Sequence, residues 1–257
     1  MAIKGDKRKL GLVLSGQPLP IKDANIFITQ PKIKDIVQFG EDDFLVSVQM
    51  LVSMEQFANQ IKQGNSELMI FSDFQLLLIM VHEDPTVKSM VLKLFDLIFP
   101  EYTVDFTEDT IDFSVIQNDK QVIVGRLYPF NFEDFQIVLN DAFIPQGDNE
   151  REPDYNPANE QASKIAEKIK KGREKVHAQK AATEGDRSIF ADYCSTLSVG
   201  MHTDINVFFN YTPFQLYDAY RRYFSKVQSD FYMRVSTMPL MDTSKMETPP
   251  EWQRNLY

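Results

Sequence analysis

One block in the second half of the chain limits how the whole sequence can fold. Residues 145–158 are polar and acidic and carry three prolines. Proline lacks a backbone donor and breaks helices, and the segment has almost no apolar side chain with which to build a core. We therefore predict a linker over 146–158, which separates an N-terminal domain over 1–145 from everything that follows.

The next segment, residues 159–185, predicts a basic amphipathic helix. Between residues 158 and 182 it carries seven Lys or Arg residues and three Glu residues, a net charge of +4. Its apolar residues form only a thin stripe at coiled-coil spacing, so the helix is marginal alone and should pack on a partner, a second copy or its own acidic domain. The candidate partner-binding residues here are Ile165, Ile169, Lys170, Lys171, Arg173 and Val176.

The N-terminal domain predicts mixed secondary structure. Residues 1–24 are punctuated by Gly and Pro and predict loose or extended chain. Ser72 with Gln75, and Asp84 with Pro85, are helix-start signals that predict a helical hairpin. The apolar period then changes to two over 102–128, which predicts a small antiparallel meander of two or three strands. The fold class is therefore α+β, mainly α-helical, with the sheet in the N-terminal domain.

Beyond the basic helix, residues 186–237 predict a C-terminal helical module and residues 238–257 an extended tail. Its longest helix begins at Thr212 and runs to about Val235. Large apolar residues recur along it at spacings of 3, 4, 3 and 4: Tyr217, Tyr220, Phe224, Val227 and Phe231. The stripe fits a core helix or a protein-binding face, whereas a stacking platform for bases would place its cations among exposed rings. The candidate partner-binding residues on this helix are Tyr217, Tyr220, Phe224, Arg221 and Arg222.

Charge and motif content argue against several function classes. The formal net charge is −10, which disfavours binding to nucleic acids and anionic membranes. The single cysteine, Cys194, predicts a buried apolar residue, and the three histidines are far apart in sequence. We found no phosphate-binding glycine loop, metal motif or nucleophile motif, and no apolar run of membrane-spanning length. We therefore expect a soluble, intracellular, non-enzymatic protein with no cofactor and no metal.

Two stretches carry a family resemblance. The sequence "YNPANEQASKIAEKIKKGREKVHAQK" (155–180), followed by residues 188–234, resembles the C-terminal half of morphogenesis-module proteins from tailed bacteriophages of Gram-positive hosts. In that pattern an Asn-Pro and a lysine-rich helix precede a capped, aromatic-rich helix. The segment "ITQPKIKDIVQFGEDDF" (28–44) is similar to the opening of the same proteins, so the resemblance covers the second half well and the first half loosely.

The resemblance implies a role in building a phage tail. The leading expectation is a chaperone-like tail assembly protein that binds the tape-measure protein or other tail proteins in the host cytoplasm. One alternative is a permanent virion subunit of the baseplate or connector, and another is a nucleic-acid-binding regulator that acts through the basic helix. Self-association of the chain stays open at this point, and no membrane partner is expected.

Overall fold

The computed structural model describes residues 7–54, 70–144 and 188–237, and the chain divides into two compact units. One unit comprises Met1–Pro145 with Tyr193–Tyr257, and the other comprises Gln146–Asp192. The predicted linker, the basic helix and the extended tail lie outside the described residues. The description below concerns the first unit, together with the first turn of the helix that enters it at Tyr193.

The described residues form nine helices and five short strands, in agreement with a mainly helical α+β fold. The first segment contains α1 (Lys7–Ser15), β1 (Leu19–Pro20), β2 (Phe27–Ile28), α2 (Ile33–Phe39) and α3 (Glu41–Val52). The second contains α4 (Asp73–Glu83), α5 (Pro85–Ile98), β3 (Thr103–Phe106), β4 (Ile111–Gln117), β5 (Lys120–Leu127) and α6 (Pro129–Phe143). The third contains α7 (Ile189–Met201), α8 (Ile205–Phe209) and α9 (Pro213–Ser236).

The predicted helical hairpin is confirmed as α4 and α5, and both of its caps form. The Ser72 hydroxyl accepts a hydrogen bond from the Gln75 amide at 3.2 Å, and the Gln75 side chain accepts one from the Ser72 amide at 2.9 Å. Asp84 accepts a hydrogen bond from the Thr86 amide at 2.8 Å, with Pro85 at the first helical position. These bonds satisfy amide groups that a helix N-terminus otherwise leaves without partners.

The predicted meander is a three-stranded antiparallel sheet in the order β3-β4-β5. Asn118 and Asp119 connect β4 to β5 with φ angles of 50° and 59°, the left-handed conformations that a two-residue hairpin turn requires. At the other end of β5, Gly125 lies under the loop between β1 and β2. A Cβ atom there would come within 2.4 Å of the Ala24 carbonyl oxygen, so only glycine permits this approach.

A cluster of phenylalanine rings lies in the core of the unit. Phe95 and Phe99 on α5 contact Phe113 on β4 and Phe135 on α6, with ring centroids 4.7 to 6.3 Å apart. All four rings are fully buried. Aromatic pairs in this geometry add to the stability that burial of their area already provides, so this cluster joins the sheet to the helices.

Two predictions about organisation differ from the structure. Part of the stretch predicted as loose chain, Lys7–Ser15, forms helix α1, because its apolar residues pack against α9 even though Gly11 lowers its helix propensity. The C-terminal helices from Tyr193 onward belong to the same compact unit as residues 1–145 and do not form a separate module.

Hydrogen bonds to backbone groups of the N-terminal segment hold the C-terminal helices in this unit. The Gln215 side chain donates a hydrogen bond to the Leu14 carbonyl at 2.7 Å, and the Ile33 amide donates one to the Tyr211 carbonyl at 2.9 Å. Helix α9 also packs on α1 and α6. The start of α9 is therefore part of the same core as α1, α2 and α6.

Candidate protein-binding helix

Helix α9 carries the candidate residues that fall within the described part of the chain. It begins at Thr212, as predicted, with a capping box in which the Gln215 side chain accepts a hydrogen bond from the Thr212 amide at 2.9 Å and Pro213 occupies the first turn. The helix has 24 residues, which makes it about 36 Å long at 1.5 Å per residue. A helix of this length reaches beyond the surface on which its first turns pack.

Burial changes along the stripe of α9. Phe214, Leu216 and Tyr217 are buried, and we call the part of the helix that contains them, residues 213–220, the proximal half. Along residues 221–236, the distal half, Phe224, Val227 and Phe231 keep 50%, 44% and 60% of their surface exposed. The helix is therefore buried along its proximal half, whereas in the distal half the apolar stripe (Phe224, Val227 and Phe231) faces solvent, although Val235 near the end of the helix is buried.

A ladder of aromatic rings connects the two halves. Tyr217 meets Tyr193 of α7 edge to face at 5.6 Å, and Tyr193 packs on Tyr220 at 4.3 Å. Tyr220 then stacks on Phe224 at 6.2 Å with an interplanar angle of 20°. The ladder holds these side chains in place up to Phe224, where the stripe becomes exposed. The Phe224 ring is therefore supported on one face by the Tyr220 ring.

Burial changes the acidity of two tyrosine hydroxyls in this ladder, those of Tyr217 and Tyr193. Burial raises the pKa of the Tyr217 hydroxyl far above its usual value, and the nearby Tyr193 and Glu41 contribute in the same direction. Burial also raises the pKa of Tyr193. Cys194 is fully buried, as predicted, and burial together with the charge of Glu41 raises its thiol pKa to about 11. A thiol that stays protonated at neutral pH is a poor nucleophile.

The two candidate arginines are placed differently from the rings. The Arg222 Nε atom lies 3.0 Å and 2.9 Å from the two carboxylate oxygens of Asp218, one helical turn earlier. This ion pair lies on the face opposite the stripe, and Arg221 is half-buried beside it. The structure therefore brings Tyr217, Tyr220 and Phe224 together on one face and separates Arg222 from them.

The remaining candidates, Ile165, Ile169, Lys170, Lys171, Arg173 and Val176, lie outside the described residues. Their assignment as partner-binding residues stays a prediction.

A second surface, which the sequence did not indicate, lies on the face of α9 that carries Arg222. The face contains Gln215, Ala219, Arg222 and Lys226, again at spacings of 4, 3 and 4 residues, and it lines a groove of about 810 Å³. The other walls of the groove are Leu14 at the end of α1, Tyr211, and the end of α7 at Gly200, Met201 and His202. We call this surface the α9 groove.

The wall of the α9 groove depends on a contact between α7 and α9. A Cβ atom on Gly200 would come within 2.2 Å of the Tyr223 ring, so the absence of a side chain allows that ring to lie against α7. His202 ends α7 with a φ angle of 54°, a left-handed conformation that closes a helix. The isolated glycine in a helical pattern was the one signal in the sequence for this close approach.

Residues 7–54, 70–144 and 188–237 contain no group of three or more His, Cys, Asp or Glu side chains that could hold a metal ion. Within the same described segments, none of the helices combines the length and the apolar character needed to cross a bilayer. Comparisons with protein-family models, with curated proteins and with solved structures found no significant match.

Proposed function

We propose that this chain is a non-enzymatic, chaperone-like phage tail assembly protein that binds other tail proteins through the distal half of α9. The observation that supports the proposal is the exposure of Phe224, Val227 and Phe231 on a helix whose first turns are fixed in the core. A helix that presents apolar anchors at spacings of 3 and 4 residues can insert into a groove or pair with another helix. The family resemblance of residues 155–180 and 188–234 supplies the biological setting.

The chemistry of the distal half favours a polypeptide over a nucleic acid. Phe224 already uses one face of its ring against Tyr220, and Arg222 is already bonded to Asp218. Surfaces that bind single strands need exposed rings among cations that meet phosphates, and the chain as a whole carries a charge of −10. Burial of the apolar stripe against another polypeptide requires neither free cations nor a positive net charge.

A tape-measure protein is the partner that best fits the proposed role. The family resemblance implies a chaperone that keeps a long, hydrophobic tape-measure protein soluble in the host cytoplasm. The stripe offers the complementary element, an apolar seam at helical spacing on a supported helix.

The hairpin of β4 and β5 favours the second candidate function, a permanent virion subunit of the baseplate or connector. Ile116 keeps 76% of its surface exposed, and Ile123 on the neighbouring strand, which shares its face of the sheet, is also exposed. A subunit that is permanently built into a particle would cover this second apolar surface as well. Mass spectrometry of purified particles separates the two functions, because a subunit is found at stoichiometric amounts and a chaperone is not.

The proposed function is tested by measuring the affinity of the full chain for a phage tape-measure protein. Phe224→Ser with Phe231→Ser should weaken binding by roughly tenfold or more, as loss of central aromatic anchors does at other interfaces. Phe130→Ser is the matched control, because Phe130 is 71% exposed but lies on α6. Equal losses for both variants, or no loss for the double variant, would reject the distal half of α9 as the binding element.

A further inference from the structure

The α9 groove is a second surface with chemistry of its own. It shares a helix with the apolar stripe, but its lining residues from α9 lie on the other face. Aromatic and apolar side chains form part of its wall, among them Tyr211, Tyr223 and Ala219. A cavity of this size can take several side chains of a bound segment, and its apolar lining provides a place for an anchor residue.

Charge is distributed unevenly among the described helices, and residues of two helices with a net positive charge, α1 and α9, line the groove. Helix α1 carries three cations and no acidic residue, and α9 carries four cations and two carboxylates. Helices α3 and α6 each carry three carboxylates and no cation. Helix α1 reaches the groove at Leu14, whereas its cations lie in its first turn, where Lys9 pairs with Asp141. The positive charge beside the groove therefore comes from α9.

The polar groups of the groove leave a positive charge at its edge. Asp218 is the one carboxylate among the described residues that line the groove, and Arg222 binds both of its oxygens. Lys226 is exposed one turn further along and forms no ion pair with any described residue. Gln215 is held by hydrogen bonds to Thr212 and to the Leu14 carbonyl, so it fixes the wall.

We propose that the α9 groove binds an acidic peptide segment of a partner protein, with an apolar side chain inserted beside Ala219 and Tyr223 and carboxylates facing Lys226. Charge complementarity selects the occupant, because Arg222 already neutralises Asp218, whereas Lys226 forms no ion pair within the described part of the chain. The inference does not depend on the proposed function, since none of the stripe residues lines the groove.

An acidic peptide fits this groove better than a nucleic acid does. A phosphate backbone needs a row of cations along its path, and the described groove lining contributes one cation without an ion pair. A peptide obtains most of its affinity from burial of an apolar anchor and uses the charge for orientation. The charges of the acidic helices are screened over about 8 Å at physiological ionic strength, so a short segment responds mainly to the local field.

The proposal is tested by fluorescence anisotropy with the full chain and a labelled glutamate-rich peptide that has a central leucine and tryptophan. A second peptide replaces every Glu with Gln, and a third replaces the central pair with serines. The glutamate peptide should bind best, and each of the other two should bind about tenfold more weakly. Lys226→Glu should weaken binding of the glutamate peptide by about fivefold, a loss of about 1 kcal/mol.

Arg234→Glu is the matched control, because it makes the same change in charge on the same helix outside the groove. It should change the affinity by less than about twofold. Equal losses for Lys226→Glu and Arg234→Glu would assign the effect to net charge and overturn the proposal. Equal binding of the Glu and Gln peptides would overturn it too, as would displacement of the peptide by a single-stranded oligonucleotide. Phe224→Ser with Phe231→Ser should leave peptide binding unchanged, so failure of either proposal can be recognised separately.

Discussion

The apolar stripe of α9 runs through both halves of the helix but lies in different environments in the two. In the proximal half, Leu216 and Tyr217 are buried against α1, α6 and α7, whereas in the distal half Phe224, Val227 and Phe231 are exposed. The apolar spacing is the same in both. A helical pattern therefore identifies which side chains share a face, while the length of the neighbouring elements decides how far along the helix that face is covered.

Equivalent truncations in the two halves test this difference, and one of them has the largest effect that we expect. Leu216→Ala should lower the free energy of unfolding by about 2 to 5 kcal/mol, because it leaves a cavity in a fully buried site. Val227→Ala should change it by less than about 0.5 kcal/mol, since this exposed side chain has little to lose on truncation. Urea denaturation followed by circular dichroism measures both values. Equal losses would mean that the distal half is packed as tightly as the proximal half.

A pH experiment tests the burial of Cys194 on α7, the helix whose Tyr193 contacts Tyr217 in the proximal half of α9. Burial raises the pKa of the Cys194 thiol to about 11, above its value in the unfolded chain. The folded state therefore disfavours the thiolate, so this contribution to stability is complete below about pH 9 and is lost as the pH rises towards 11. At pH 10 the loss should be about 1 kcal/mol.

The measurement is the urea midpoint of the wild type and of Cys194→Ala at pH 8 and at pH 10. The midpoint of the wild type should fall more between the two pH values than that of the variant. The pKa of Tyr217 is raised as well, so its ionisation also destabilises the folded state, but at still higher pH. A smaller fall of the urea midpoint therefore remains in the variant. Identical falls in both proteins would show that Cys194 does not titrate in this window.

The ends of α9 provide a third comparison. Thr212→Ala removes the side chain of the capping box and should destabilise the protein by about 1 kcal/mol, because that cap lies in the buried half. Thr237→Ala at the other end removes a hydrogen bond of 2.8 Å to the Arg234 carbonyl but should have an effect below about 0.5 kcal/mol. Thermal unfolding measures both, and a reversed order would contradict the assignment of the buried half.

Local signals were sufficient to predict much of the fold. Ser72 with Gln75, Asp84 with Pro85, and Thr212 with Pro213 each act within a few residues, so the sequence alone indicates where those helices begin. The change of period over 102–128 indicated the sheet in the same way. The physical reason is that caps and strand alternation depend on neighbours along the chain and only weakly on the rest of the structure.

Features that join distant parts of the chain could not be predicted. The hydrogen bond from Gln215 to Leu14 spans 201 residues, and it helps to place the C-terminal helices in the N-terminal core. For the same reason, only part of the candidate site could be predicted from the sequence. The sequence spacing indicated the stripe on α9, but how far along the helix the stripe is buried depends on its packing against α1, α6 and α7. The α9 groove depends on the close approach of Gly200 to Tyr223.

The smallest expected effect on stability comes from Gly200→Ala, which acts at the wall between the two faces of α9. The new Cβ atom would meet the tip of the Tyr223 ring at 2.2 Å, so the ring must swing away from α7. That movement costs contacts, but alanine favours a helix over glycine by about 1 kcal/mol, and the two effects oppose each other. The free energy of unfolding should therefore change by less than about 1 kcal/mol.

Peptide binding should respond more clearly than stability to this variant, because the displaced ring narrows the α9 groove. We expect the affinity for the glutamate peptide to fall by about fivefold, a change of about 1 kcal/mol. Val199→Ala, at the exposed neighbouring position, is the control and should leave the affinity unchanged. Unchanged binding in Gly200→Ala would show that Tyr223 does not form the wall, and a loss of several kcal/mol in stability would show that its ring is locked in the core. Either outcome would contradict the assignment of the Tyr223 ring as a movable wall of the α9 groove.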